Sequence, residues 1–139
     1  MKNLLTLTLL LIGSILMAQS YTVEVNVRNV RSGDGVISAG LYNSADEFPE
    51  KGKEFMGVKT DAKEGITTIR FEDVPAGKYA IAILHDENKN DEMDRNFLGF
   101  TQEGYCFSNK ARSKLGAPKF EKAAFRVQGD VYTTVFMNY

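Results

Sequence analysis

The feature that most constrains this chain is a two-residue alternation of apolar and polar side chains that returns along its length. Over residues 21–30, Val23, Val25 and Val27 fall on one side and Thr22, Glu24, Asn26 and Arg28 on the other. Period two with β-branched residues predicts a strand with one buried face. Arg31-Ser32-Gly33-Asp34-Gly35 is turn chemistry, and residues 36–43 resume the alternation with Ile37, Ala39 and Leu41 facing in. The two segments read as a hairpin. Further strands are expected at 55–60, 66–71, 124–127 and 131–139. Pro75 and Gly77 supply a turn before residues 79–84, where Tyr79, Ile81 and Ile83 oppose Ala80, Ala82 and Leu84. A strand apolar on both faces belongs at the centre of a sheet, between two packed layers. No stretch after residue 18 sustains a 3.6-residue period. The best short helix is 120–124, just after Pro118, and Phe48 is expected to be seated by a short turn at 44–49. About seven short strands separated by Gly, Pro and Asp turns predict a mainly β fold, a single antiparallel β-sandwich with a long loop region over 86–120.

The first residues read differently. Lys2 is the only charge before Glu24, residues 4–12 are dominated by Leu, and Leu16-Met17-Ala18 ends on a small residue. This is the pattern of a cleaved signal peptide over residues 1–18, with the domain at 19–139. The apolar stretch is shorter than the roughly 20 residues that span a bilayer, so no stable membrane span is expected after cleavage. The expected destination is the periplasm or the cell exterior. Once Lys2 is lost, the 17 basic side chains become 16 against 18 acidic ones, leaving no basic excess for nucleic acid. Cys106 is the single cysteine, so the chain has no intrachain disulfide. Beside Tyr105 and Phe107 it reads as a small buried hydrophobe.

Chemistry concentrates after Leu84. Residues 86–94 place oxygen-bearing side chains at alternate positions, Asp86, Asn88 and Asn90, and then at Asp94. Calcium takes six to eight oxygen ligands at roughly 2.3–2.6 Å, and a wound loop delivers them from positions 1, 3, 5 and 9 with a backbone carbonyl from position 7. That spacing assigns Asp86, Asn88, Asn90, the carbonyl of Glu92, and Asp94. Position 6 is Asp91 rather than Gly, and Asp tolerates a left-handed backbone better than most residues. Position 12 is Phe97, so a carboxylate from elsewhere must complete the shell, with Glu103 the nearest. The competing reading is a solvated turn whose Asp and Asn side chains bond only the local backbone. Five acidic side chains within residues 86–94 face only Lys89, and their mutual repulsion favours a bound cation. The expected affinity is the roughly 10⁻⁴–10⁻³ M of extracellular modules.

Catalytic readings are weaker. His85 is the only histidine, and a hydrolase would have to use it with Asp86 or Glu103, without any recognisable nucleophile motif. One His and one Cys do not make a usual zinc site. Phe97, Phe100, Tyr105, Phe107 and Phe120 belong to core packing or to a flap, or else line a groove.

In order, Val74-Pro75-Ala76-Gly77-Lys78-Tyr79-Ala80, the 85–94 loop, Leu98-Gly99-Phe100, Glu103-Gly104-Tyr105, Phe107-Ser108-Asn109 and Pro118-Lys119-Phe120-Glu121-Lys122-Ala123 resemble the bacterial family catalogued as domain of unknown function 2141. The resemblance spans nearly all of 21–139 and implies a small exported protein without an established activity. The family's usual loop carries Gly where this chain has Asp91. The Pro-Ala-Gly-Lys-Tyr turn and its following strand are similar to prealbumin-like and carboxypeptidase-regulatory-like sandwiches, an Ig-like architecture, which implies a binding or structural unit. The expectation is therefore a non-catalytic exported sandwich that binds calcium. The alternative is an envelope module that takes a glycan, peptide or lipid through the aromatic segment 97–107. The sequence names no protein partner.

Overall fold

The computed structural model describes residues 18–139, so the signal segment read at 1–18 lies outside the described residues apart from Ala18. No helix among the described residues is long and apolar enough to cross a membrane. Eight strands are described: β1 (Ser20–Val30), β2 (Val36–Tyr42), β3 (Met56–Asp61), β4 (Gly65–Pro75), β5 (Gly77–Asp86), β6 (Gly104–Phe107), β7 (Phe125–Val127) and β8 (Val131–Phe136). A 3-10 turn at Ser108–Lys110 follows β6, and one helical turn, α1 (Phe120–Ala123), precedes β7. The fold is mainly β, as the alternation predicts.

The strands form two sheets in the orders β4-β1-β8 and β3-β2-β5-β6, with β7 pairing the first residues of β5, Gly77 to Tyr79. Val23, Val25 and Val27 of β1, with Ile69 and Phe71 of β4, face Ile37 and Leu41 of β2 and Ile81 and Ile83 of β5 across one core. Burying these branched and aromatic side chains is the main force holding the layers, at roughly 25 cal/mol per Å² of apolar surface removed from water. A second, smaller cluster of Tyr42, Phe48, Ala80, Phe120 and Ala123 lies on the outer face of the larger sheet. β5 is therefore buried throughout on its inner face and at Ala80 on its outer one, while Ala82 and Leu84 are only partly covered, and Phe48 is seated as expected.

Two expectations are corrected. β1 and β2 are not a hairpin: β1 pairs with β4 and β8, while β2 pairs with β3 and β5. Each strand buries one face, and the 31–35 turn carries the chain across the core so that those faces meet. Alternation alone does not distinguish a partner beside a strand from one opposite it. Nor is the sandwich wholly antiparallel, because β1 and β8 run parallel, from Val23 opposite Val131 to Arg28 opposite Phe136.

Candidate functional site

The site grows from the carboxyl end of β5. His85 continues the inward-facing row of Ile81 and Ile83, and Asp86 takes the other face; both are fully buried. The His85 ring has Nε2 2.7 Å from the carbonyl of Asp34 and Nδ1 2.7 Å from the hydroxyl of Tyr139. A carbonyl only accepts, so Nε2 carries the hydrogen and Nδ1 accepts from the tyrosine. That hydroxyl accepts in turn from the Arg31 backbone N–H at 3.0 Å. Both ring nitrogens are thus engaged, and His85 makes no hydrogen bond to Asp86 or Glu103. In this arrangement the ring is a packed structural group.

Asp86 organises the loop that follows. Its Oδ1 accepts from the Asn90 N–H at 3.1 Å and its Oδ2 from the Asp91 N–H at 2.8 Å. Asn88 Oδ1 accepts from the Asn90 N–H, and Asn90 Oδ1 from the Glu92 N–H, so the two amides nest the chain in successive turns. Lys89 and Asp91 adopt left-handed backbone at φ 58° and 63°, so Asp91 takes the conformation expected of position 6. The Asp91 carboxylate pairs with Lys59 of β3, which holds it below the usual carboxylate range.

The amides of Asn88 and Asn90 both donate to the Asp94 carboxylate, the latter at 2.7 Å. Glu103, nearly fully buried, closes the loop from below: Oε1 accepts from the Glu87 N–H at 2.9 Å and Oε2 from the Asp94 N–H at 3.2 Å. Asp86, Asn88, Asn90, Asp94 and Glu103 therefore belong to one hydrogen-bonded unit. Glu92 joins it through its backbone, with its side chain exposed. Beside the unit lies a shallow cleft lined by Asp34, Glu87, Asp94 and Glu103 among others. Among the described residues no three His, Cys, Asp or Glu side chains are grouped to hold a metal by themselves. The Asp86 and Glu103 carboxylates are turned onto separate backbone N–H groups. A cation here has to draw on amide and carbonyl oxygens as well, a donor set that suits a hard ion such as calcium.

Two partners of the loop escaped sequence reading because they are remote in the chain. Lys59 arrives from an edge strand, and Arg31 from the turn before β2. The Arg31 guanidinium binds the Glu87 carboxylate, with Nε 2.9 Å from Oε1, and lies 4.4 Å from the centre of the Tyr139 ring. Its charge holds the Glu87 carboxyl below the ordinary carboxylate range. Cys106 is buried, as expected, and burial pushes its thiol up to about 12.

The aromatic run divides. Phe120 packs in the second cluster and Phe107 packs against Phe48. Phe97 and Phe100 stand exposed, at 96% and 66%, on a turn pinned by the Arg95–Thr101 bridge. Between that turn, residues 113–117 and the outer face of β2, β3, β5 and β6 lies a groove of about 830 Å³. Its small-residue floor was legible in part, since Ser38 and Gly40 alternate with the buried side chains of β2.

Searches of the curated proteins and of the solved structures found no significant match. A family model described as an uncharacterized protein conserved in bacteria (DUF2141) matches residues 25–135, which takes in both sheets and the whole 86–94 loop. The chain therefore belongs to that bacterial family, DUF2141.

Proposed function

We propose that this protein is an exported, non-catalytic β-sandwich whose 86–94 loop binds calcium and thereby rigidifies the segment leading to β6. The observation that carries the reading is the convergence of the Asn88 and Asn90 amides on the two oxygens of Asp94. A side-chain amide presents a donor on one side and an acceptor on the other, so rotating both amides, with release of the Asn90 and Glu92 N–H groups their oxygens hold, turns two more oxygens towards the point they share. The Glu92 carbonyl, with Asp86 and Glu103 behind the loop, supplies the remaining oxygens. Bound calcium would supply positive charge to a loop with five acidic side chains and one lysine. Binding to the folded state alone stabilises it by an amount that grows with the logarithm of ligand concentration above Kd, a role that disulfides fill in other exported domains. Export rests on the charge and apolar pattern of residues 1–18.

The test is thermal unfolding of the protein in millimolar calcium and then in chelator. The reading expects a higher melting temperature with calcium, and no such gain for Asp94→Asn, which keeps the shape but loses the charge. An identical melting temperature in calcium and chelator would exclude the metal loop.

A further inference from the structure

The groove on the outer face of the larger sheet is a second site that meets the calcium loop at Asp86 and Asp91, where the Asp86 oxygens are turned onto the Asn90 and Asp91 N–H groups and the Asp91 carboxylate onto Lys59. Pairing register lays Gly57, Gly40 and Ala82 side by side across β3, β2 and β5, and Lys59, Ser38 and Leu84 in the next row. The short side chains of Gly57, Gly40, Ala82 and Ser38 leave a trough in the sheet surface. Tyr42 and Glu54 close one end, for a Cβ on Gly40 would lie 2.8 Å from the Tyr42 ring and 3.2 Å from Glu54 Cβ. Tyr105 and Phe107 of β6 wall one side, and Met93 and Phe100 the loop side. At about 830 Å³ the space falls in the range of small-molecule sites, and its walls are mainly apolar.

The rim carries charge. Lys51, Arg95 and Lys114 line it and form no ion pair with a carboxylate among the described residues, whereas Lys59 is matched by Asp91. The two loops at the mouth end in apolar tips, with Phe97 96%, Leu115 91% and Leu98 66% exposed. The adjacent bare side chains of Phe97 and Leu98 suit contact with an apolar phase or partner. We propose that the groove binds a single-chain amphiphile with an anionic head, of the long-chain carboxylate class: the acyl chain lies over Ala82 and Ser38, and the head meets Lys51, Arg95 and Lys114. The apolar tips would receive the chain from a lipid surface.

The experiment is a fluorescence titration with dansylated undecanoic acid, competed by oleate and by oleyl alcohol. Saturable binding is expected, with oleate displacing the probe at about tenfold lower concentration than the alcohol because only the acid meets the rim cations. The double variant Lys51→Glu, Lys114→Glu, on the surface, should weaken oleate by about tenfold while leaving the melting temperature unchanged. Ala82→Trp or Ser38→Phe, whichever retains the parental circular dichroism spectrum, should abolish binding by filling the floor. Equal affinity for acid and alcohol, or unchanged oleate affinity in the charge-reversal variant, overturns the proposal. Flotation with phosphatidylglycerol vesicles separates the sources: retention that survives in the floor variant, without probe binding by the parent, would make this face a membrane dock instead of a groove. The titrations are run in chelator and decide the groove without calcium, while the melts in calcium decide the metal loop, so the two readings fail separately.

Discussion

The hydroxyl of Tyr139 lies 2.7 Å from Nδ1 of His85, so a residue after the last strand caps the buried ring at the end of the central one. The same hydroxyl accepts from the Arg31 N–H, which joins the start of the 31–35 turn to the contact. Tyr139→Phe keeps the ring packing and removes both bonds, leaving a buried acceptor and a backbone donor unmatched. The expected cost is about 1–3 kcal/mol. Urea denaturation measures it, and a loss within a few tenths of the parent would mean that water replaces the hydroxyl.

Gly35 has φ 69°, and a Cβ there would lie 2.0 Å from the Asp86 carbonyl oxygen and 2.6 Å from Glu87 Cα. The turn therefore presses directly on the root of the loop. Gly35→Ala should cost about 4 kcal/mol or more, since backbone must move on both sides. Gly65→Ala, also at positive φ but with nothing within 4 Å, should cost only the conformational term of about 1–2 kcal/mol. Similar losses for the two variants, measured by thermal unfolding, would contradict the close approach.

Asp86 and Asp94 should respond differently to substitution. Asp86 is buried and satisfies two backbone N–H groups, so Asp86→Ala should lower stability by about 1–3 kcal/mol even in chelator. Asp94→Asn should leave the chelator-treated protein within about 0.5 kcal/mol of the parent, because only side-chain amides meet its carboxylate. The calcium-dependent gain should vanish in both. Paired melts in calcium and chelator separate the organising carboxylate from the coordinating one.

The Arg31–Glu87 pair predicts the acid limb of stability. The guanidinium lowers the folded carboxyl below its ordinary value of 4.5, chiefly by hydrogen bonding. A group whose folded value is depressed contributes stability that is fully present above its unfolded value and is lost as pH falls through the folded one. Stability should therefore decline below about pH 4.5, and the decline should be shallower in Arg31→Gln. Denaturant midpoints between pH 3 and 6 read the slope; parallel curves for parent and variant would remove this pair as a cause.

Much of this was legible because burial writes itself into local alternation. Val23, Val25 and Val27, Ile37 and Leu41, and the doubly apolar β5 each announce a strand and the number of faces it hides. The wound loop was legible for a similar reason: Asp and Asn at alternate positions can satisfy their own backbone, and Asp86, Asn88 and Asn90 do so. Pairing was not legible. The 31–35 turn serves a hairpin or a crossing equally well, and the choice depends on which face of β2 finds a partner.

By itself, the sequence determined the mainly β class, the central place of β5, the buried state of Cys106 and the left-handed loop at Asp91, since each follows from a residue's own shape and its near neighbours. Only the tertiary structure decided that Tyr139 and the Asp34 carbonyl hold both nitrogens of His85, that Lys59 and Arg31 hold the loop's acids, and that Ser38, Gly40, Gly57 and Ala82 share one trough. Those relationships join residues tens of positions apart, and chain separation leaves no periodic trace. They exist because two sheets close over one core and leave the outer face of the larger sheet only partly covered.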